Sequence, residues 1–94
     1  MAEMGFEEAL KTVRNIIAEK AECELEEVGP DVDLQEALGM DSMTVTRVVG
    51  ALEEKFDITI TDNEVFKVYE AKTPTALTHV ALELQAAARA ASAK

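Results

Sequence analysis

Ser42-Met43-Thr44-Val45-Thr46-Arg47-Val48-Val49-Gly50-Ala51-Leu52-Glu53-Glu54-Lys55-Phe56 is the stretch on which the fold turns. Counted from Ser42, the residues Val45, Val48, Val49, Leu52 and Phe56 fall at i+3, i+6, i+7, i+10 and i+14. All five therefore share one face of a 3.6-residue period, and the spacing predicts a helix from about Ser42 to Phe56. Ser42 then lies at the helix N-terminus, where unpaired N–H groups and the dipole favour negative charge, so a phosphate esterified to its hydroxyl would sit in a favourable field. Asp41-Ser42 before an apolar run is also the ordinary pattern of a helix cap, and from these residues alone both readings stand.

Working outward, Phe6, Leu10, Val13 and Ile17 repeat at i, i+4, i+7 and i+11, with Glu7, Glu8, Lys11 and Arg14 facing away, so a first helix is expected over residues 5 to about 21. Gly29-Pro30 breaks its continuation, and residues 22–39 read as a long loop pinned by Leu34 and Leu38. Such a loop in a small domain is usually functional or partly structured. Past Phe56, Ile58 and Ile60 alternate with Thr59 and Thr61, but one short strand would have no pairing partner, which makes an extended connector the expectation. Asp62 is expected to cap a short third helix through about Tyr69, with Val65 and Val68 inward. Thr73-Pro74 opens the last helix as cap and first helical residue, with Leu77, Val80, Ala81 and Leu84 as its stripe. Residues 85–94 read as a frayed alanine-rich tail. Together these predict an all-α fold with three main helices, a short third helix and a long loop between the first and second. It is a single domain over residues 1–94, with its core over about 5–84.

A chain of 94 residues holds one small core and no cleft between lobes, so catalysis is not expected. The net charge of −10 argues against nucleic-acid binding and for partners with basic surfaces. Residues 1–36 carry eleven acids against three bases, a net of −8, and residues 37–94 carry eight against six, a net of −2. The single Cys23 excludes an internal disulfide, and no secretory leader or membrane-length apolar run is seen, so a cytoplasmic monomer without stable membrane insertion is expected. Asp31-Val32-Asp33 opens like a calcium loop, but Glu36 stands where glycine is needed and Ser42 where a bidentate glutamate is needed, so no metal site is predicted. His79 has no ligand cluster, and Ser42 has no His-acid relay in sequence, which makes it a substrate rather than a nucleophile of its own.

Asp31-Val32-Asp33-Leu34, Gly39-Met40-Asp41-Ser42-Met43, the run Ala51 to Ile60 and Lys72-Thr73, in this order and spacing, resemble the acyl carrier protein family. The resemblance covers the first helix to about Val80 and implies that the four helices form a four-helix bundle. It implies that Ser42 receives 4′-phosphopantetheine from coenzyme A through a separate phosphopantetheinyl transferase, and that Asp41 helps position magnesium and phosphate during transfer. It further implies a non-catalytic carrier whose partners are acyl-transferring, condensing or modifying enzymes. Met43, Arg47, Glu53 and Glu54 are the expected partner-recognition residues. Val45, Val49, Val65 and Val68 offer an apolar lining for an attached acyl chain between the second and third helices.

Relatives serving fatty acid synthesis usually present several carboxylates on the second helix. Here Arg47 and Lys55 balance Glu53 and Glu54, Arg47 stands where the family often has an acid, and Met43 replaces the usual leucine. These departures favour a specialised lipid or polyketide pathway. The alternative from another class is an acidic helical adaptor in which Ser42 serves only as a helix cap.

Overall fold

In the computed structural model, which describes residues 5–92, five α-helices and one 3-10 turn make up the secondary structure, with no strand among these residues. The long helices are α1 (Phe6–Lys20), α3 (Ser42–Phe56) and α5 (Pro74–Ser92). The short ones are α2 (Leu34–Leu38) and α4 (Asp62–Glu70), and the 3-10 turn covers Leu25–Glu27. α1 lies against α3 and α5, and α4 closes the bundle against the same two helices. Val13, Ile17, Val48, Leu52, Phe56 and Leu77, each at most 1% exposed, form the centre of the core.

The apolar period of α3 buries Val45, Val48, Leu52 and Phe56 and leaves Val49 half-buried. In α1 the buried stripe is Ala9, Val13, Ile16 and Ile17. Ala9 and Ile16 stand three and ten residues after Phe6, on the face that the larger side chains had marked. Leu10 is only half-buried, and Phe6, 37% exposed, stacks on His79 of α5 with ring centroids 4.9 Å apart. Arg14 does not face away: its half-buried guanidinium donates to the carbonyls of Leu25 and Val28 and ties the 3-10 turn to α1.

The stretch expected as one long loop is partly helical. Glu27 accepts the Glu24 N–H at 2.9 Å and starts the 3-10 turn. Asp33 caps α2 by accepting from the N–H groups of Gln35 (3.0 Å) and Glu36 (2.8 Å). Gly39 ends it at φ 62°, in the left-handed region where glycine carries no Cβ penalty. The segment is then clasped to the start of α5. Leu34 N–H donates to the Lys72 carbonyl at 2.8 Å, and the N–H and hydroxyl of Thr75 both donate to the Pro30 carbonyl at 3.0 and 2.8 Å.

The connector buries Ile58 and Ile60, and the Ile60 N–H donates to Glu53 at 2.8 Å. α4 is capped one residue earlier than expected. Thr61, not Asp62, is the N-cap, because Glu64 reaches back to accept the Thr61 N–H at 3.0 Å and completes a capping box. In α5 the Thr73 hydroxyl accepts the Ala76 N–H at 3.1 Å and Pro74 is the first helical residue. The buried Thr78 hydroxyl is satisfied by donating to the Pro74 carbonyl at 2.7 Å. The residues after Leu84, expected as an alanine-rich tail, are helical over the described part. α5 continues to Ser92, Gln85 donates to the Phe56 carbonyl at 3.1 Å, and Ala88 packs on the core. Residues 93 and 94 of the expected tail lie outside the described residues, as do residues 1–4 of the expected domain.

Two variants of α3 should move stability in opposite directions. Phe56→Ala empties a position 1% exposed and should cost roughly 3–5 kcal/mol. Gly50 is exposed in the helix interior and an added Cβ meets nothing within 4 Å, so Gly50→Ala should add about 0.5–1 kcal/mol. Urea denaturation measures both, and a lower midpoint for Gly50→Ala would contradict the exposed placement of that face.

Candidate functional site

The site is built around the first turn of α3. Asp41 adopts an extended conformation as N-cap, and its Oδ1 accepts the Thr44 N–H at 2.9 Å. Ser42 is therefore the first helical residue and not the cap. Its side chain is exposed, its carbonyl accepts the Thr46 hydroxyl at 2.8 Å, and no acid or base among the described residues hydrogen-bonds its hydroxyl. The reading in which Ser42 acts only as a cap loses its basis here, since the neighbouring carboxylate does that work. What remains is a free primary hydroxyl at the electropositive end of a fifteen-residue helix.

The hydrogen bonds from Thr44 hold the Asp41 carboxyl below its usual range. The same effect from Thr61, with Lys67 nearby, lowers Glu64 at the start of α4. Asp41 thus stays ionised beside Ser42, with a second carboxylate oxygen outside the Thr44 bond. No group of three or more His, Cys, Asp or Glu is arranged to hold a metal ion among the described residues. Burial, and secondarily Glu27 and Glu24, push the Cys23 thiol up, which makes it a poor nucleophile.

Near the start of α3 a cleft of about 20 Å³ opens between α2, α3, α4 and the start of α5. Its walls include Val45 and Val48 of α3, Val68 of α4, Leu77 of α5, and Leu34 and Met40 from the preceding segment. Of the four valines expected as an acyl lining, Val45 and Val68 line this cleft. Val49 and Val65 do not; they are half-buried and pack on the core. Met40 escaped the sequence reading as a buried residue although it lies two residues before Ser42, just past the segment taken as a loop. The cap-to-cap signal Asp33 and Gly39 around Leu34 and Leu38 marks the helix that delivers it.

The expected partner-recognition residues separate into two groups. Met43 is 66% exposed and Arg47 and Glu54 are exposed on the same outer face as Gly50. Glu53 is half-buried, and its carboxylate holds the Ile60 N–H, so it is placed as a structural residue of the connector. Phe66 of α4, 68% exposed, went unnoticed in the sequence. The signal was the crowding of Val65, Phe66, Val68 and Tyr69 on a nine-residue helix, which cannot turn all four inward. No helix is long and apolar enough to cross a membrane among the described residues.

Because its folded-state value is lowered, the Asp41 carboxylate contributes stability that is present above the ordinary carboxyl pKa of about 3.9 and is lost as pH falls through the folded value. Asp41→Asn keeps a good cap but removes the charge. Its melting temperature should fall below wild type at neutral pH, and the two curves should converge in acid. Parallel curves from neutral to acid pH would show that the carboxylate is not held by the helix start.

A family model described as phosphopantetheine attachment site matches residues 11–80, from the second turn of α1 to the middle of α5.

Proposed function

The chain belongs to the phosphopantetheine attachment family and carries 4′-phosphopantetheine covalently, and we propose that Ser42 is the residue that holds it and that the domain presents acyl thioesters to partner enzymes. The observation that carries this reading is the capping of α3 by Asp41, which leaves the Ser42 hydroxyl exposed and unbonded at a helix N-terminus. The surroundings fit the group. A phosphate on Ser42 would meet the N–H end of the helix, and none of the described residues encloses the hydroxyl that the arm would leave from. When bound, the arm supplies a thiol that carries acyl groups as thioesters and searches locally for partner sites at high effective concentration.

The protein's own part in loading is positional. The Ser42 oxygen forms the new bond to phosphorus and the adenosine bisphosphate half of coenzyme A leaves. No base among the described residues touches the hydroxyl, so its proton goes to a base of the transferase. Asp41 has a carboxylate oxygen outside the Thr44 bond, which suits one contact to a magnesium ion that keeps most of its other ligands from water and phosphate. The carrier itself performs no chemistry on its cargo, as is general for domains of this family. Transferase and acyl-processing enzymes are its partners.

Arg47 supports a specialised lipid or polyketide pathway over general fatty acid synthesis. It is exposed one turn beyond Met43, and with Glu53 bound to the connector the outer face of α3 presents Met43, Arg47, Gly50 and Glu54. A partner built for an acidic helix meets a like charge there, which slows encounter and weakens docking. An acyl chain returning from the arm finds the cleft beside Ser42, where each methylene removed from water contributes about 0.8 kcal/mol. α4, which has only Val68 fully buried, is the wall that can yield.

Intact-mass spectrometry after co-expression with a phosphopantetheinyl transferase tests the assignment. Wild type should gain one arm, while Ser42→Ala should stay folded and gain none; an arm mapped to any other residue would defeat it. Arg47→Glu should raise the rate at which a generic fatty acid synthesis enzyme uses the loaded protein. An unchanged rate, with folding and loading intact, would remove Arg47 as the source of pathway preference.

A further inference from the structure

The cleft beside Ser42 is apolar except at two positions. Gln35 of α2 and Tyr69 of α4 complete its wall. Neither the Gln35 carboxamide nor the Tyr69 hydroxyl hydrogen-bonds any described residue. Gln35 is exposed and Tyr69 half-buried, whereas Val48 and Leu77 are at most 1% exposed, so the two polar groups stand at the rim and the floor is closed core. Between them they offer donors and acceptors without an internal partner, beside a helix start that carries the arm.

We propose that the cleft selects short acyl groups bearing an oxygen near the thioester, of the hydroxyacyl or ketoacyl class, with Tyr69 and Gln35 hydrogen-bonding that oxygen at the rim. The inference rests on the carrier reading above. Two observations set the class. The cleft volume of about 20 Å³ is little more than the roughly 10–15 Å³ that a single water requires on this measure. Any acyl chain must therefore displace the α4 wall to enter, and a short group displaces it least. The rim acts in the same direction. A saturated chain crossing it offers the half-buried phenol and the carboxamide at its edge only the thioester carbonyl, so one of the two gains no partner, and a polar group that loses water without a replacement bond opposes burial. A cargo with an oxygen at that depth replaces the lost water. The two side chains thus favour one cargo and reject its saturated equivalent.

The test loads the phosphopantetheinylated protein with butyryl and 3-hydroxybutyryl groups, which have equal length and differ by one hydroxyl. NMR shifts of Val45, Val68 and Tyr69 report the fraction of cargo in the cleft. The ratio of sheltered to exposed cargo should be roughly 2–10-fold higher for the hydroxylated group, the effect of about one net hydrogen bond. In the Tyr69→Phe/Gln35→Leu double variant, with its fold checked by thermal melting, the ratio should fall to the butyryl value. Single Tyr69→Phe, which keeps the ring, should lower it part of the way. Equal or better sheltering of butyryl in wild type, or a preference for oxygen that survives the double variant, would overturn the proposal. Failure of the carrier reading shows earlier and differently, as absence of the arm from Ser42 by intact mass, and it takes this inference with it.

Discussion

The 2.9 Å hydrogen bond from the Thr44 N–H to Asp41 decides where α3 begins, and the arrangement of the site depends on that boundary. A helix needs a side-chain acceptor for its first N–H groups. Asp41 provides it one residue before the serine, so Ser42 is inside the helix with its hydroxyl unengaged. The same boundary puts Val45 and Val48 on the cleft and Met43 and Arg47 outside. Ser42, the cleft wall and the exposed Met43–Arg47 face are three sides of one helix, and their relative directions are set by 100° of rotation per residue.

Around α3 the bundle divides into a firm and a yielding part. α1 and α5 surround it with the fully buried side chains Val13, Ile17 and Leu77. α4 contributes one fully buried residue, Val68, and its ion pair to α5, Lys67 to Glu83 at 3.9 Å with both side chains largely in water, adds little. Cargo that enters the cleft therefore works against the lightest element. The rigid side keeps Ser42 in place while the other side adapts.

The parts of the fold that rest on one helix at a time were legible. The spacing in α3, the Thr73-Pro74 start of α5 and the extended Ile58–Ile60 connector follow from local periodicity and cap chemistry, and the serine's position follows from the start of α3. What escaped was decided across the chain. Arg14 reads as a solvent-facing residue until the carbonyls of Leu25 and Val28 are brought beneath it. Glu53 reads as an outer-face acid until the connector returns Ile60 to it. Ile16 was hidden because the period was traced through Phe6 and Leu10, and α2 because five residues are too few to show a period. The cleft could not be read at all, since Leu34, Met40, Val48, Val68 and Leu77 come from four helices and the turn before α3.

The clasp between Thr75 and the Pro30 carbonyl joins residues 45 positions apart. Closing a loop of that length costs chain entropy that the clasp must offset. Three hydrogen bonds do so: Thr75 gives two to the Pro30 carbonyl and Leu34 gives one to the Lys72 carbonyl. One wall of the cleft, the segment of Leu34 and Met40, is thereby fastened to the start of α5, which lines the same cleft through Leu77.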